Sequence, residues 1–213
     1  MAEYKLLSRE KTPGGITLAV SGCDEKLVVP EEFVLQRNLV VGVCLNERQL
    51  EQLVAESHRH HCDQSAARSL AMREHSRGEL MVKLRRKGHA KEIIAEVLKK
   101  YIAMGALDDS RYAHMIGRSL VERRPCGQAY LCAYLQRRFV ERSLAQETAH
   151  MLLAGQDETD RAEAALRQRW HRLREFELET ARRKAYNYLA RRGFSYQAVK
   201  AAFERLENDQ NEE

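Results

Sequence analysis

The chain has 213 residues, 44% of them hydrophobic and 31% charged, which is enough for one or two domains with a packed core. No apolar run approaches the roughly 20 residues that cross a bilayer, and the start MAEYKLLSREK lacks the apolar stretch of a secretory leader; neither a membrane protein nor a secreted one is expected, and the cytoplasm is. The formal charge of +5 is unevenly spread: residues 1–65 carry 7 Lys/Arg against 10 Asp/Glu, residues 66–139 carry 16 against 7, and residues 140–213 carry 13 against 14.

The net +9 of the middle block suits a polyanion or an acidic protein groove, because Lys and Arg beside phosphates release condensed counterions. A solvated helical surface would account for it equally well. Cys23, Cys44, Cys62, Cys126 and Cys132 are odd in number and contain no CxxC pair, so neither a disulfide framework nor a zinc ribbon is indicated.

At the N terminus, Ile16-Thr17-Leu18-Ala19-Val20 and Glu25-Lys26-Leu27-Val28-Val29 flank Ser21-Gly22-Cys23-Asp24, which predicts a hairpin. Pro30-Glu31-Glu32 opens a short helix through Leu35, and Leu39–Val43 supplies a third strand. Asn46 and Gln49 form a capping box before a helix that carries Leu50, Leu53 and Val54 and reaches about His61. These elements make a small β-hairpin-containing domain with a linking helix, residues 1–62.

Beyond Ala66 the apolar residues recur at helical spacing, and three segments align without gaps. Leu80-x3-Leu84-Arg85-Arg86-Lys87-Gly88 matches Leu131-x3-Leu135-Gln136-Arg137-Arg138-Phe139, and both match Ala185-x3-Leu189-Ala190-Arg191-Arg192-Gly193. Ile94, Ala145 and Val199 lie six residues past each turn position, and Leu98, Ala149 and Phe203 ten past. Anchors 51 and 54 residues apart leave room for three helices each, so the expected fold is mainly α: a tandem array of three three-helix repeats over 63–106, 107–155 and 156–207, with a disordered acidic tail at 208–213. The punctuation agrees with this. Ser76 and Glu79 form a second capping box, Gly88 and Gly105 end helices, and Asp108-Asp109 opens a helix carrying Tyr112, Ala113, Ile116 and Leu120. Pro125-Cys126-Gly127 breaks that helix, and Gly155 with Asp157 precedes one bearing Leu166, Trp170 and Leu173.

The run Gly105-Ala106-Leu107-Asp108-Asp109-Ser110-Arg111-Tyr112-Ala113, following Leu84-Arg85-Arg86-Lys87-Gly88, resembles the signature of the RecX family of RecA recombinase regulators. The resemblance extends to Arg191-Arg192-Gly193-Phe194, and the N-terminal segment is similar to the extension found in many members. It implies a cytoplasmic, cofactor-free helical modulator that binds in the groove of the RecA filament on single-stranded DNA. Such a protein alters filament assembly, ATP hydrolysis and strand exchange in recombination, DNA repair and the SOS response. Phe139 departs from the family pattern, standing where a glycine is usual, and a left-handed helix terminus is costly for Phe; that helix is expected to end differently.

The candidate partner- or DNA-binding residues are basic: Arg85, Arg86 and Lys87, Arg137 and Arg138, Arg191 and Arg192, together with Arg111, Arg118, Arg123 and Arg124. Cations in a last helical turn also complement the helix dipole by roughly 0.3–1 kcal/mol, which needs no ligand. The threefold recurrence favours binding, and Arg engages carboxylates or phosphates bidentately. Asp108 and Asp109 read as helix-start caps rather than a metal pair, and His58-Arg59-His60-His61-Cys62 as a solvated polar hinge rather than a zinc site. Trp170, Phe176, Tyr186, Tyr188 and Phe194 have spacings that suit the core more than base stacking. There is no GxSxG, P-loop or GxGxxG, so no enzyme, no cofactor and no metal are expected. The expected partners are the RecA filament and single-stranded DNA, bound by a monomer; a stand-alone nucleic-acid-binding helical module is the alternative. The charge blocks put most of the binding on the first two repeats.

Overall fold

The computed structural model describes residues 3–211, the last three as backbone alone. It divides into two compact units, one formed by the described residues up to His75 with Leu80–Leu107, the other by Ser76–Glu79 with the chain from Asp108 onward.

In the first unit a four-stranded antiparallel sheet is built from β1 (Tyr4–Thr12), β2 (Gly15–Val20), β3 (Leu27–Val29) and β4 (Cys44–Leu45), in the order β3-β2-β1-β4. The expected hairpin is β2–β3, with Ile16 opposite Val29 and Leu18 opposite Leu27. Strand β1 was not foreseen, because Lys5, Arg9, Glu10 and Lys11 leave Leu6 as its one fully buried apolar side chain. The strand expected at Leu39–Val43 is instead a turn through Gly42, at φ +95°, with Gly42 and Val43 bonded to the Leu6 backbone just ahead of β4. Leu6, Ile16, Leu18, Val20, Leu27 and Val29 form the core, closed by Val34 of α1 (Glu31–Gln36) and by Leu53.

Helix α2 runs unbroken from Glu47 to Met72 behind the predicted Asn46/Gln49 capping box. It therefore does not stop near His61, and His58–Cys62 is not a hinge. The physical reason is that its two halves bury different partners. Leu53 packs on the sheet and the Ser57 hydroxyl accepts from Val28 N–H at 3.0 Å, whereas Cys62 and Ala66 join a second core with Leu80, Leu84, Ile94 and Leu98. The side chains of His60 and Gln64 meet the Gly14 carbonyl. Burial, reinforced by Asp63, pushes the Cys62 thiol up to about 11, so it is an inert core group.

The remaining helices form the three repeats. In the first unit α3 (Arg77–Arg86), from Leu80 onward, and α4 (Lys91–Ala103) complete a bundle with the second half of α2. The second unit holds α5 (Asp109–Arg123), α6 (Gln128–Gln136) and α7 (Arg142–Leu153), then α8 (Glu158–Leu173), α9 (Leu178–Ala190) and α10 (Tyr196–Asn211). The aligned positions are buried throughout: Leu80, Leu131 and Ala185, Leu84, Leu135 and Leu189, Ile94, Ala145 and Val199, and Leu98, Ala149 and Phe203. Helix α10 continues through Asn211 where a disordered tail was expected from 208; residues 212–213 lie outside the described residues.

Candidate functional site

The three middle helices end alike. After α3, α6 and α9 the chain enters the left-handed region at Gly88 (φ +87°), Phe139 (φ +61°) and Gly193 (φ +74°). The next N–H then closes onto the helix: His89 on Leu84 O, Val140 on Leu135 O and Phe194 on Leu189 O. Phe139 thus ends α6 as a glycine would, contrary to the expectation from its side chain. A Cβ in this conformation costs about 1–2 kcal/mol. Against it stand the closing hydrogen bond, about 1 kcal/mol, and the burial of Val140, about 1.5–3 kcal/mol, which together outweigh the strain.

The same termini are also joints. Ser76 Oγ donates to the Arg138 carbonyl at 2.6 Å, and Gly127 N–H, at the position equivalent to Ser76 one repeat later, donates to the Arg192 carbonyl at 2.8 Å. A Cβ on Gly78 would lie 2.5 Å from Phe139 Cβ, and one on Gly127 would lie 1.9 Å from the Gly193 carbonyl oxygen. The backbone therefore passes so close at each joint that one side must be glycine.

Asp108 caps α5, accepting from Ser110 N–H at 2.8 Å and Arg111 N–H at 3.0 Å. Asp109 accepts from Arg77 N–H at 2.6 Å, and the buried Tyr112 hydroxyl donates to Glu79 at 3.0 Å. Burial and then that carboxylate raise the Tyr112 pKa. The carboxylates of Asp108 and Asp109 and the hydroxyl of Tyr112 thus serve folding. Among the described residues no group of three or more His, Cys, Asp or Glu side chains is arranged to hold a metal ion.

The basic candidates fall in both units. Arg85, Arg86 and Lys87 are exposed at the end of α3 in the first unit; the other eight belong to the second. There Arg123, Arg124, Arg137 and Arg191 are exposed, while Arg118 pairs with Glu122 at 3.6 Å across one helical turn. Arg137 lies over the Tyr130 ring and Arg138 over Tyr134, at 5.9 and 5.1 Å from the centroids. Arg111 is exposed in the first turn of α5. Arg192 is committed to the fold: half-buried, it stacks on Tyr188 and donates to the Pro125 carbonyl at 3.1 Å, tying the end of α9 to the end of α5. That joint brings Arg123 and Arg124 to the same region as Arg192. Of the aromatic candidates Tyr188 and Phe194 are core, Trp170 packs edge-on to Phe203 at 5.4 Å, and Phe176 is 43% exposed, not core. Sequence reading passed over Arg169, Arg172 and Lys184, whose convergence depends on how α8 faces α9.

Comparison with known proteins agrees with this architecture. The RecX first three-helix domain matches residues 64–100 and the RecX third three-helix domain matches residues 156–203. Proteins named "Regulatory protein RecX" are similar to the chain: one from Pelodictyon phaeoclathratiforme is 33% identical over 141 residues, covering 66% of this chain and 86% of the relative. One from Vibrio cholerae serotype O1 is 32% identical over 163 residues, covering 70% and 95%. Among solved structures, that of a regulatory protein RecX superposes with a TM-score of 0.74 over 92% of this chain and 97% of the other, at 18% identity. The RecX of Lactobacillus salivarius gives 0.62 over 70% and 97%, at 19% identity.

Proposed function

The chain belongs to the RecX family of regulatory proteins, and from that membership we propose that it binds the RecA filament on single-stranded DNA and restrains its ATP hydrolysis and strand exchange. The observation that carries this reading is the recurrence of exposed cations at equivalent helix ends, Arg85–Lys87, Arg137–Arg138 and Arg191, whose neighbouring turns are fixed by the same closing bonds. A repeated set of cations, each seated on its own fixed helix end, suits a repeating acidic or phosphate-lined groove. The chain acts as a monomer in the cytoplasm during recombination, repair and the SOS response, and performs no chemistry of its own.

The second reading, a stand-alone nucleic-acid-binding module, rests on the same cations. Recruitment separates the two. In co-sedimentation with single-stranded DNA at physiological salt, the chain should pellet much more strongly when cognate recombinase coats the DNA. Equal pelleting with bare DNA, with log affinity falling about 0.7 per contacted phosphate per decade of salt, would favour the module.

A further inference from the structure

Residues 140–213 are nearly neutral in composition, but the third repeat within them sorts its charges. Carboxylates of α8 and α10 are taken up in ion pairs: Arg205 pairs with Asp160 at 2.7 Å and Glu163 at 3.4 Å, Arg167 with Glu163 at 2.6 Å, and Lys200 with Glu204 at 3.8 Å. Glu158 accepts from Ser195. Between α8 and α9 lies an open cleft of about 330 Å³ lined by Arg169, Arg172, Lys184 and Arg191, with Phe176, Tyr188 and Asn187 among the other lining residues and no carboxylate. Arg169 lies over the Tyr188 ring at 4.6 Å and Lys184 over the Phe176 ring at 3.4 Å, so rings rather than acids hold these cations in place.

Gathering four like charges in one cleft costs stability when nothing neutralises them; Arg169 and Arg172, one turn apart on α8, repel each other directly. We propose that this cleft is a binding site for single-stranded nucleic acid, taking one nucleotide with its flanking phosphates. The guanidinium groups donate bidentately to phosphate oxygens. The plane of Arg169, already stacked on Tyr188, offers its other face to a base, and the Asn187 amide supplies a donor and an acceptor for a base edge. An acidic peptide would satisfy the cations but has no use for the planar stack and the amide. The cleft is open to solvent, as a continuing strand requires.

The inference rests on the nucleic-acid part of the proposed function and is tested without recombinase, so its failure would leave filament regulation standing. Fluorescence anisotropy of the full chain with a labelled oligothymidylate should show binding that R172E/R191E weakens at least about tenfold. Its salt slope should fall by about 1.4, two contacts at about 0.7 each. Lys200→Glu, the same charge reversal on α10, should shift affinity less than about twofold. Helicity is checked for each variant, and R172Q/R191Q, a milder change, should weaken binding in the same direction. Equal losses for Lys200→Glu and the cleft variant, no loss in the cleft variants, or no oligonucleotide binding at all would overturn the site. So would displacement of the oligonucleotide by millimolar ATP, which would make it a free-nucleotide pocket, or tighter binding of an acidic aromatic peptide.

Discussion

At the scale of single residues, side chains that resemble chemical machinery are folding devices. Asp108 and Asp109 could pass for a metal pair, yet one oxygen of Asp108 takes two backbone N–H groups of α5 and Asp109 takes the first N–H of α3. Replacing Asp108 by Ala should cost about 1 kcal/mol in urea unfolding, whereas Asn, which keeps the accepting oxygen, should cost a few tenths at most. An equal cost for both would mean that the charge, not the cap, is what matters. Phe139 teaches the opposite lesson about local preference. Its own conformational cost predicted another helix ending, but the closing bond and the burial of Val140 are only visible once the turn is in place.

At the scale of elements, the repeats were legible because their buried positions keep helical spacing and each repeat carries its own terminators. The hairpin and the Asn46/Gln49 capping box were legible for the same local reason. What escaped was set by tertiary partners: β1, whose charged residues alternate too weakly to announce a strand, and the continuity of α2, which depends on two cores seated on one helix. The joints escaped as well, since Ser76 and Gly127 look like ordinary helix-start residues until the Arg138 and Arg192 carbonyls reach them. A comparison of two glycines isolates that effect. Gly88 and Gly193 both have positive φ, but a Cβ at Gly88 would meet nothing within 4 Å, while one at Gly193 would lie 2.3 Å from Tyr130 N. Gly88→Ala should therefore cost about 1 kcal/mol from backbone strain alone, and Gly193→Ala at least about 1 kcal/mol more from the clash. Equal losses in thermal or urea denaturation would show that the joint yields freely.

At the scale of the whole molecule, the candidate surface was legible in outline: three basic helix ends recur, and the charge blocks located most of them. Counting charge by block nevertheless hid how it is sorted, because Arg205, Arg167 and Lys200 pair with carboxylates of α8 and α10, whereas Arg169, Arg172, Lys184 and Arg191 line one cleft together. Arg192, prominent in the sequence, is instead held by the fold. The proposed regulation is tested most directly by measuring single-stranded-DNA-dependent ATP hydrolysis of the cognate recombinase with the purified chain added at micromolar concentration. Hydrolysis should fall severalfold, and R85E/R86E/K87E, with helicity retained, should restore it. Hydrolysis unchanged by the unaltered chain would contradict the account.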